Sequence, residues 1–343
     1  MDLRLARYAR QVQFAPLGAQ GQQRLLDSTA LVVGCGALGT VVAEILARAG
    51  VGRLRIVDRD FLELNNLQRQ VLYDEDDVAR GLPKAIAAAE KLSRINRSIE
   101  VQPVVADLHA DNVTEYLNGV DVIVDGTDNF ETRYLLNDAS LKYEIPWVYG
   151  GCLGAGGQTL TILPRTTPCL RCLYAEPPPA GTNETCDTAG IVAPIILVIG
   201  AIEAMEAIKI LSGNREAVSR DLQVFDLWEN RARQVSLASI EPWGPCPCEG
   251  KDFPWLEGRR ANETAVLCGR NAVQLRSPQS RPIDLRRLAE KLTAAGEVEQ
   301  NRFLVRCRVG DKTLTLFADG RAIIQGTQDP AEARSLYAKY VGS

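Results

Sequence analysis

The sequence predicts an α/β protein: a mostly parallel sheet layered with helices over residues 1–250, then a small α+β domain over residues 261–343. Three observations lead there. A short apolar, β-branched run at residues 29–33 ends in a glycine-rich turn and passes into a helix-spaced segment. Apolar runs and helix-spaced segments then alternate as far as residue 149, the rhythm of a parallel sheet with right-handed crossovers. After Gly157 that rhythm stops, and the tail from about residue 261 carries its own strand and helix pattern.

The elements follow in order. Residues 1–27 are polar, arginine-bearing and read as helical. Residues 29–33 (Thr-Ala-Leu-Val-Val) are a run of the kind buried on both faces of a parallel sheet. Helical spacing covers residues 41–49, a second strand 54–57, an alanine-rich helix 82–96, a third strand 101–105 and a fourth 121–125. A helix over 130–143 and a fifth strand over 147–149 complete the alternation. A strand over 159–163 leads out of it, Pro177-Pro178-Pro179 with Gly181 marks a surface loop, and a long apolar helix over 191–211 is kinked or started at Pro194. Residues 222–227 and 233–237 read as a closing hairpin, and 242–250 as a turn-rich boundary. The tail reads strand, helix (285–295), two or three strands (303–325) and helix (331–340).

Composition narrows the function. The net charge of −4 and pI near 5.4 lack the basic balance of a nucleic-acid binder. No basic-then-apolar leader opens the chain, and the apolar stretch at 191–202 is too short to span a bilayer, so a cytoplasmic protein with no membrane partner is expected. The nine cysteines, several closely paired, then read as metal ligands or reactive thiols rather than disulfides. With His109 the sole histidine, a tetrahedral metal site must be mostly thiolate, and His109 itself reads as a surface-loop residue.

Gly34-Cys35-Gly36-Ala37-Leu38-Gly39 fits G-x-G-x-x-G between a strand and a helix, a Rossmann-like context. The first glycine makes the tight turn, the second lets the backbone approach a phosphate, and the third lets helix pack on strand. The helix N-terminus offers its N–H groups to an anion. Asp58, at the end of the second strand, suits a ribose hydroxyl. The motif indicates a nucleotide without choosing between ATP and NAD.

The choice comes from further motifs. Arg7-Tyr8-Ala9-Arg10-Gln11, the glycine loop and Asp58-Arg59-Asp60 open the series. Asn65-Asn66-Leu67-Gln68-Arg69-Gln70, Pro83-Lys84, Gly126-Thr127-Asp128-Asn129 and Cys169-Leu170-Arg171-Cys172 continue it. In this set and order, roughly over residues 7–250, the chain resembles the ubiquitin-activating superfamily. Within it, the chain is similar to the bacterial molybdopterin-synthase adenylyltransferases and their thiamine-pathway relatives.

The resemblance implies ATP-dependent adenylylation of the C-terminal glycine carboxylate of a ubiquitin-like sulfur-carrier protein ending in Gly-Gly. Attack of a carboxylate on the α-phosphorus of ATP joins two anions, so positioning and charge neutralisation dominate and no histidine base is needed. Carried over, Arg69 and Lys84 are phosphate ligands, and Asn66 faces the phosphates. Asp58 and Asp60 belong to the nucleotide site, Asp128 holds Mg²⁺, and Arg10 reaches the phosphates of the partner subunit in a homodimer. A sulfurtransferase or cysteine desulfurase is a further implied partner. Taken singly, Arg69 and Lys84 also read as solvated cations, and Asp128 also suits the cap of the helix beginning near Phe130. Residues 74–81 run about two residues longer than the family spacing to the lysine, which bears on loop geometry.

Cys169-x-x-Cys172 is one half of a zinc knuckle. The family's second half is another C-x-x-C, here Cys246-Pro247-Cys248, one residue short, with Glu249 as an alternative ligand to Cys248. Four thiolates on Zn²⁺ leave no open position, so such a site is structural. Cys186 aligns with a sulfur-handling or thioester-type cysteine of some relatives and is a candidate catalytic thiol. Cys35, Cys152, Cys268 and Cys307 read as packing residues. The tail shows no sulfurtransferase-type loop and ends Val341-Gly342-Ser343, so it is not expected to carry its own substrate. Two other readings compete: adenylylation of another carboxylate, such as the threonylcarbamoyl group of a modified tRNA base, and an NAD-binding oxidoreductase or non-catalytic binding module. The acidic balance and the long crossover loop oppose the first, and the Arg69, Lys84 and Asp128 set opposes the second.

Overall fold

The computed structural model describes residues 5–178, 189–240, 246–250, 252–260, 264–267, 271–275 and 283–341. They form two compact units, the first spanning Met1–Pro178 and Ile191–Ala261, the second Pro179–Gly190 and Asn262–Ser343.

The first unit is built on eight strands: β1 (Thr29–Val33), β2 (Arg53–Asp58), β3 (Glu100–Val105), β4 (Val122–Asp125), β5 (Trp147–Leu153), β6 (Gly156–Ile162), β7 (Leu222–Asp226) and β8 (Arg231–Val235). They make one sheet in the order β3-β2-β1-β4-β5-β6-β7-β8. β3 to β5 run parallel, and β5 to β8 continue antiparallel. The chain first winds outward from β1 through β2 to β3, then returns to lay β4 on the other side of β1. That reversal opens a crevice beyond the carboxyl ends of β1 and β4, the usual ligand position in such sheets.

Nine helices accompany the sheet among the described residues: α1 (Ala9–Val12), α2 (Gly18–Asp27), α3 (Ala37–Ala49), α4 (Glu75–Ala79), α5 (Lys84–Ile95), α6 (Val113–Leu117), α7 (Phe130–Tyr143), α8 (Leu170–Leu173) and α9 (Ala193–Ser212). Alternate residues of β1 serve opposite faces. Val32 packs with Val42, Leu46, Ala88 and Ile210 of α3, α5 and α9. Leu31 packs with Leu136 of α7, Trp147 and Trp255 on the other side.

Several boundaries differ from the sequence reading, for local reasons. The N-terminal helix is two helices, parted where Pro16 and Gly18 (φ +59°) turn the chain. α3 begins four residues before the apolar spacing does, directly from Gly36. β5 runs on to Leu153 and pairs residue for residue with β6. The longer stretch at 74–81 forms α4, where Asp74 and Asp77 cap each other's backbone N–H. Pro194 sits in the first turn of α9 and starts the helix rather than kinking it.

The second unit is a six-stranded antiparallel sheet, larger than the sequence suggested. β9 (Thr264–Leu267) and β10 (Ala272–Leu275) precede α10 (Leu285–Leu292); β11 (Glu297–Gln300), β12 (Leu304–Val309), β13 (Lys312–Phe317) and β14 (Ala322–Gln325) precede α11 (Pro330–Tyr340). The strand order is β11-β12-β13-β14-β10-β9. Leu288 and Leu292 of α10 pack on Val305, Leu314 and Ile324, and the Cys307 thiol is buried among them.

Asp138 on α7 anchors the segment that follows the second cysteine pair: its Oδ2 accepts the N–H groups of Trp255 at 2.9 Å and Leu256 at 3.4 Å. Burial nevertheless pushes this carboxyl up to about 6. A raised carboxyl contributes stability below its unfolded value near 4 that is lost as the pH climbs through 6. Thermal melts of Asp138→Asn beside the unmodified chain should therefore show the asparagine variant gaining relative stability from pH 5 to pH 8, by about 1 kcal/mol. A difference that stays flat with pH would contradict this.

Candidate nucleotide crevice and cysteine centre

The glycine loop closes by backbone contact. Gly34 takes φ +82° and donates its N–H to the Val57 carbonyl at 2.8 Å. A Cβ on Gly39 would sit 1.9 Å from the Gly34 oxygen, and one on Gly126 would sit 2.2 Å from the same atom. No side chain fits at either place, so the turns after β1 and β4 lie in contact. Gly36 differs: a Cβ there would meet only the Gln70 amide nitrogen, at 3.7 Å. Packing within the chain does not demand glycine at 36, whereas close approach of a phosphate to the backbone does. Gln70 is buried beside it, and its Oε1 has no hydrogen-bond partner.

Asp58 ends β2 and secures the loop. Its Oδ2 accepts the Cys35 N–H and its Oδ1 the Asp60 N–H, both at 2.6 Å. Burial pushes the carboxyl up, opposed by the nearby Lys84 ammonium. A carboxylate has further lone pairs for a ribose hydroxyl after these two bonds. Tyr73 adds a brace, its hydroxyl within 2.7 Å of the Cys35 carbonyl and 3.1 Å of the Lys84 carbonyl. The Cys35 thiol, fully buried, is pushed up to about 12 and serves as packing.

Lys84 opens α5. Its N–H donates to the Asp60 carbonyl at 2.9 Å, and its ammonium lies 3.3 Å from Asp60 Oδ2. It is buried, not a solvated cation. Arg59, which the sequence reading did not single out as a site residue, pairs with Asp107 at 2.9 Å. Burial opposes its charge, but Asp107, Asp60 and Asp128 more than offset that and keep the guanidinium protonated. Its partner Asp107 lies 48 residues on, which no local motif reveals.

Arg69 donates to the Asn65 carbonyl at 2.9 Å from a half-buried position. Asn66 is buried and locally engaged, accepting from the Glu63 N–H at 3.1 Å and donating to Asn65 Oδ1 at 2.9 Å. Its side chain thus shapes the turn that carries Arg69. Arg10 is exposed on α1, with its guanidinium 3.3 Å from Gln13 Oε1. Cys186 and Cys268 lie outside the described residues.

Asp128 follows β4 with its carboxylate exposed. It does not cap α7: Asn129 does, accepting the Thr132 N–H at 2.9 Å. Beneath it, Asp125 is fully buried and pairs with Arg133 at 3.3 Å. Burial also pushes the Glu203 carboxyl of α9 well up, with the Asp125 charge adding to it. Its two oxygens have no hydrogen-bond partner, and they face Gly150 so closely that a Cβ there would come within 2.4 Å.

The four paired cysteines converge. Sulfur separations are 3.8 Å for Cys169–Cys172, 3.4 Å for Cys169–Cys246 and for Cys172–Cys246, and 3.6 Å for Cys172–Cys248. All four lie within 4.8 Å of one another. Ligands about 2.3 Å from a shared tetrahedral centre stand roughly 3.8 Å apart, so the set fits a thiophilic metal. The one-residue deletion is absorbed by a 3-10 turn at Pro247–Glu249, ended by Gly250 at φ +75°. Cys248 thus completes the quartet, leaving no need for Glu249 as a ligand.

Comparison with known proteins adds the following. Residues 8–248 match the model of the ThiF family. The sulfur carrier protein ThiS adenylyltransferase of Bacillus subtilis is 47% identical over 338 residues, covering 98% of this chain and 99% of that protein. The adenylyltransferase and sulfurtransferase MOCS3 of Danio rerio is 38% identical over 235 residues, 68% of this chain, and the chain spans only 51% of its length. The crystal structure of E. coli MccB superposes with a TM-score of 0.60 at 22% identity, over 71% of this chain and 74% of that one, a likeness of fold.

Proposed function

The chain belongs to the ThiF family, and from that premise we propose that it uses ATP to adenylylate the C-terminal glycine carboxylate of a ubiquitin-like sulfur carrier. The carrier of thiamine biosynthesis is the first choice. The observation that carries this is the end-to-end similarity to a ThiS adenylyltransferase, which includes the tail beyond residue 261. The similarity to a MOCS3 enzyme covers 68% of the chain and makes a molybdopterin-type carrier the second reading. Residues 1–250 are the adenylation domain and residues 261–343 an extension to it. A cytoplasmic setting, where thiols stay reduced, suits the cysteine centre; no helix among the described residues is long and apolar enough to cross a membrane.

The chemistry is an in-line displacement. A carboxylate oxygen of the carrier attacks the α-phosphorus, the bond to the β-phosphate oxygen breaks, and pyrophosphate leaves without proton transfer. The glycine loop and the start of α3 cradle the phosphates, with Gly36 leaving room for their approach. Asp58 takes the ribose, Lys84 and Arg69 offset the charge on the departing pyrophosphate, and Asn66 and Asp60 hold those cations in place. The carboxylate of Asp128 is a hard oxygen donor of the kind Mg²⁺ takes singly alongside phosphates. Held there, Mg²⁺ would supply charge neutralisation across the phosphates. Arg10, exposed and outside the sheet, serves the partner's crevice in a homodimer. Cys186 is the candidate thiol for later sulfur handling, with a sulfurtransferase or cysteine desulfurase as donor. Zn²⁺ is the metal that best suits four thiolates.

Pyrophosphate exchange with purified carriers decides the reaction. ATP exchange should require a Gly-Gly carrier, run faster with the thiamine-type one, and fall on the order of 10²-fold or more in Asp128→Ala. NAD binding without ATP binding would overturn the reading. Mixing Arg10→Ala with Lys84→Ala chains should restore exchange if sites are composite; a mixture as inactive as either parent, after verified subunit exchange, excludes them. Metal analysis of unchelated protein should find one zinc per chain, and Cys246→Ser should release it and lower the melting temperature while ATP affinity holds. Well under one zinc per chain would show that the centre holds none.

A further inference from the structure

Arg133 reaches the segment that presents Asp128 from below. Its Nε pairs with Asp125 Oδ2 at 3.3 Å, and its Nη2 donates to the Thr127 carbonyl at 2.8 Å and the Gly150 carbonyl at 3.1 Å. Tyr149 and Phe130 flank the guanidinium at 5.2 and 5.7 Å. Asp125 Oδ1 in turn accepts both the N–H of Thr127, at 2.8 Å, and its hydroxyl, at 2.7 Å. Every polar group of Thr127 is therefore taken, by one arginine and one carboxylate that are themselves paired. Asn129, on the far side of Asp128, is fixed as the α7 cap. Asp128 stands between these two anchored residues with its carboxylate exposed, within the electrostatic reach of both Arg133 and Arg59.

We propose that Arg133 is a positioning residue for the adenylylation: through Asp125 and Thr127 it clasps the turn after β4, so that Asp128 meets Mg²⁺ and the phosphates already in place. The proposal rests on the function argued above. It explains why a buried cation here is an arginine. The planar fork reaches a carboxylate and two carbonyls at once, which a single ammonium cannot do. Gly150 belongs to β5, so the same fork ties the turn after β4 to the neighbouring strand.

Two substitutions loosen the clasp by different routes. Arg133→Lys keeps a positive charge beside buried Asp125, and Thr127→Ala removes the hydroxyl while leaving the ion pair intact. Peptide-level hydrogen exchange of the ligand-free chain reads the clasp directly. Exchange at residues 125–129 should quicken about tenfold or more in both variants, while the melting temperature moves little. Calorimetry of ATP with and without Mg²⁺ reads its effect. The gain in ATP affinity on adding Mg²⁺ should fall about tenfold, the usual consequence of removing a ligand's supporting partner. Arg133→Lys combined with Asp128→Asn should then be no worse than Asp128→Asn alone.

Unchanged exchange at 125–129 in both variants, or losses that add in the double variant, would overturn the proposal. Failure of the unmodified chain to bind ATP would instead overturn the proposed function, with the exchange measurement still reporting on the clasp.

Discussion

Everything in the crevice depends on one contact between backbones. The carbonyl oxygen of Gly34 lies so near Gly39 and Gly126 that neither can carry a Cβ. One oxygen thereby fixes the end of β1, the first turn of α3 and the turn after β4. The N–H of Gly126 completes the junction by donating to the Val33 carbonyl at 2.7 Å. Because β1 and β4 flank the point where strand order reverses, the junction sets the start of α3 and the turn that carries Asp128 side by side at the carboxyl ends of the strands.

Charge is arranged around that opening in layers. Deepest are Asp125 with Arg133, and the buried ammonium of Lys84 beside Asp60. Nearer the surface stand Arg59 with Asp107, and Arg69 on the turn shaped by Asn66. Burying ion pairs is costly unless geometry and extra hydrogen bonds offset it, and Arg133 beside Asp125 has two carbonyl acceptors and two flanking rings. The result is a set of charged groups already held in orientation by the fold, the condition for electrostatic preorganisation.

Much of this was legible in the sequence, and the reasons separate cleanly. The strands, the glycine turn and the cysteine pairs rest on local constraints: an apolar run, a position without Cβ, a two-residue spacing. What escaped depended on distant or neighbouring choices. Asp128 and Asn129 are both good cap residues, and only the backbone decides that Asn129 caps α7. Arg133 falls inside a helix whose pattern says nothing of the carbonyls of Thr127 and Gly150. Arg59 sits within a recognised motif, yet its burial depends on Asp107, and the shift of the carboxyl of Glu203 arises from α9 closing over Gly150. The second unit has six strands rather than the expected three or four because two, not one, precede its first helix, and because β11 (Glu297–Gln300), polar at three of four positions, lies ahead of the stretch that reads as strands.

The position of α9 bears on how the chain is made. It packs on α3 and covers the helical side of the sheet beside β1, so the first strand to leave the ribosome keeps one face open until α9 follows. The N-terminal helices wait as long: Arg24 donates to the carbonyl of Ser212, and Asn214 to that of Pro16, across 188 and 198 residues. Contacts of such separation in sequence slow folding. The cysteine centre then joins residues 169–172 to 246–248 once the excursion containing α9 and the hairpin is complete. A nascent chain therefore carries its nucleotide motif early but cannot seal the core beneath it until some two hundred residues have been synthesised, an interval in which β1 and α3 are natural clients for a chaperone.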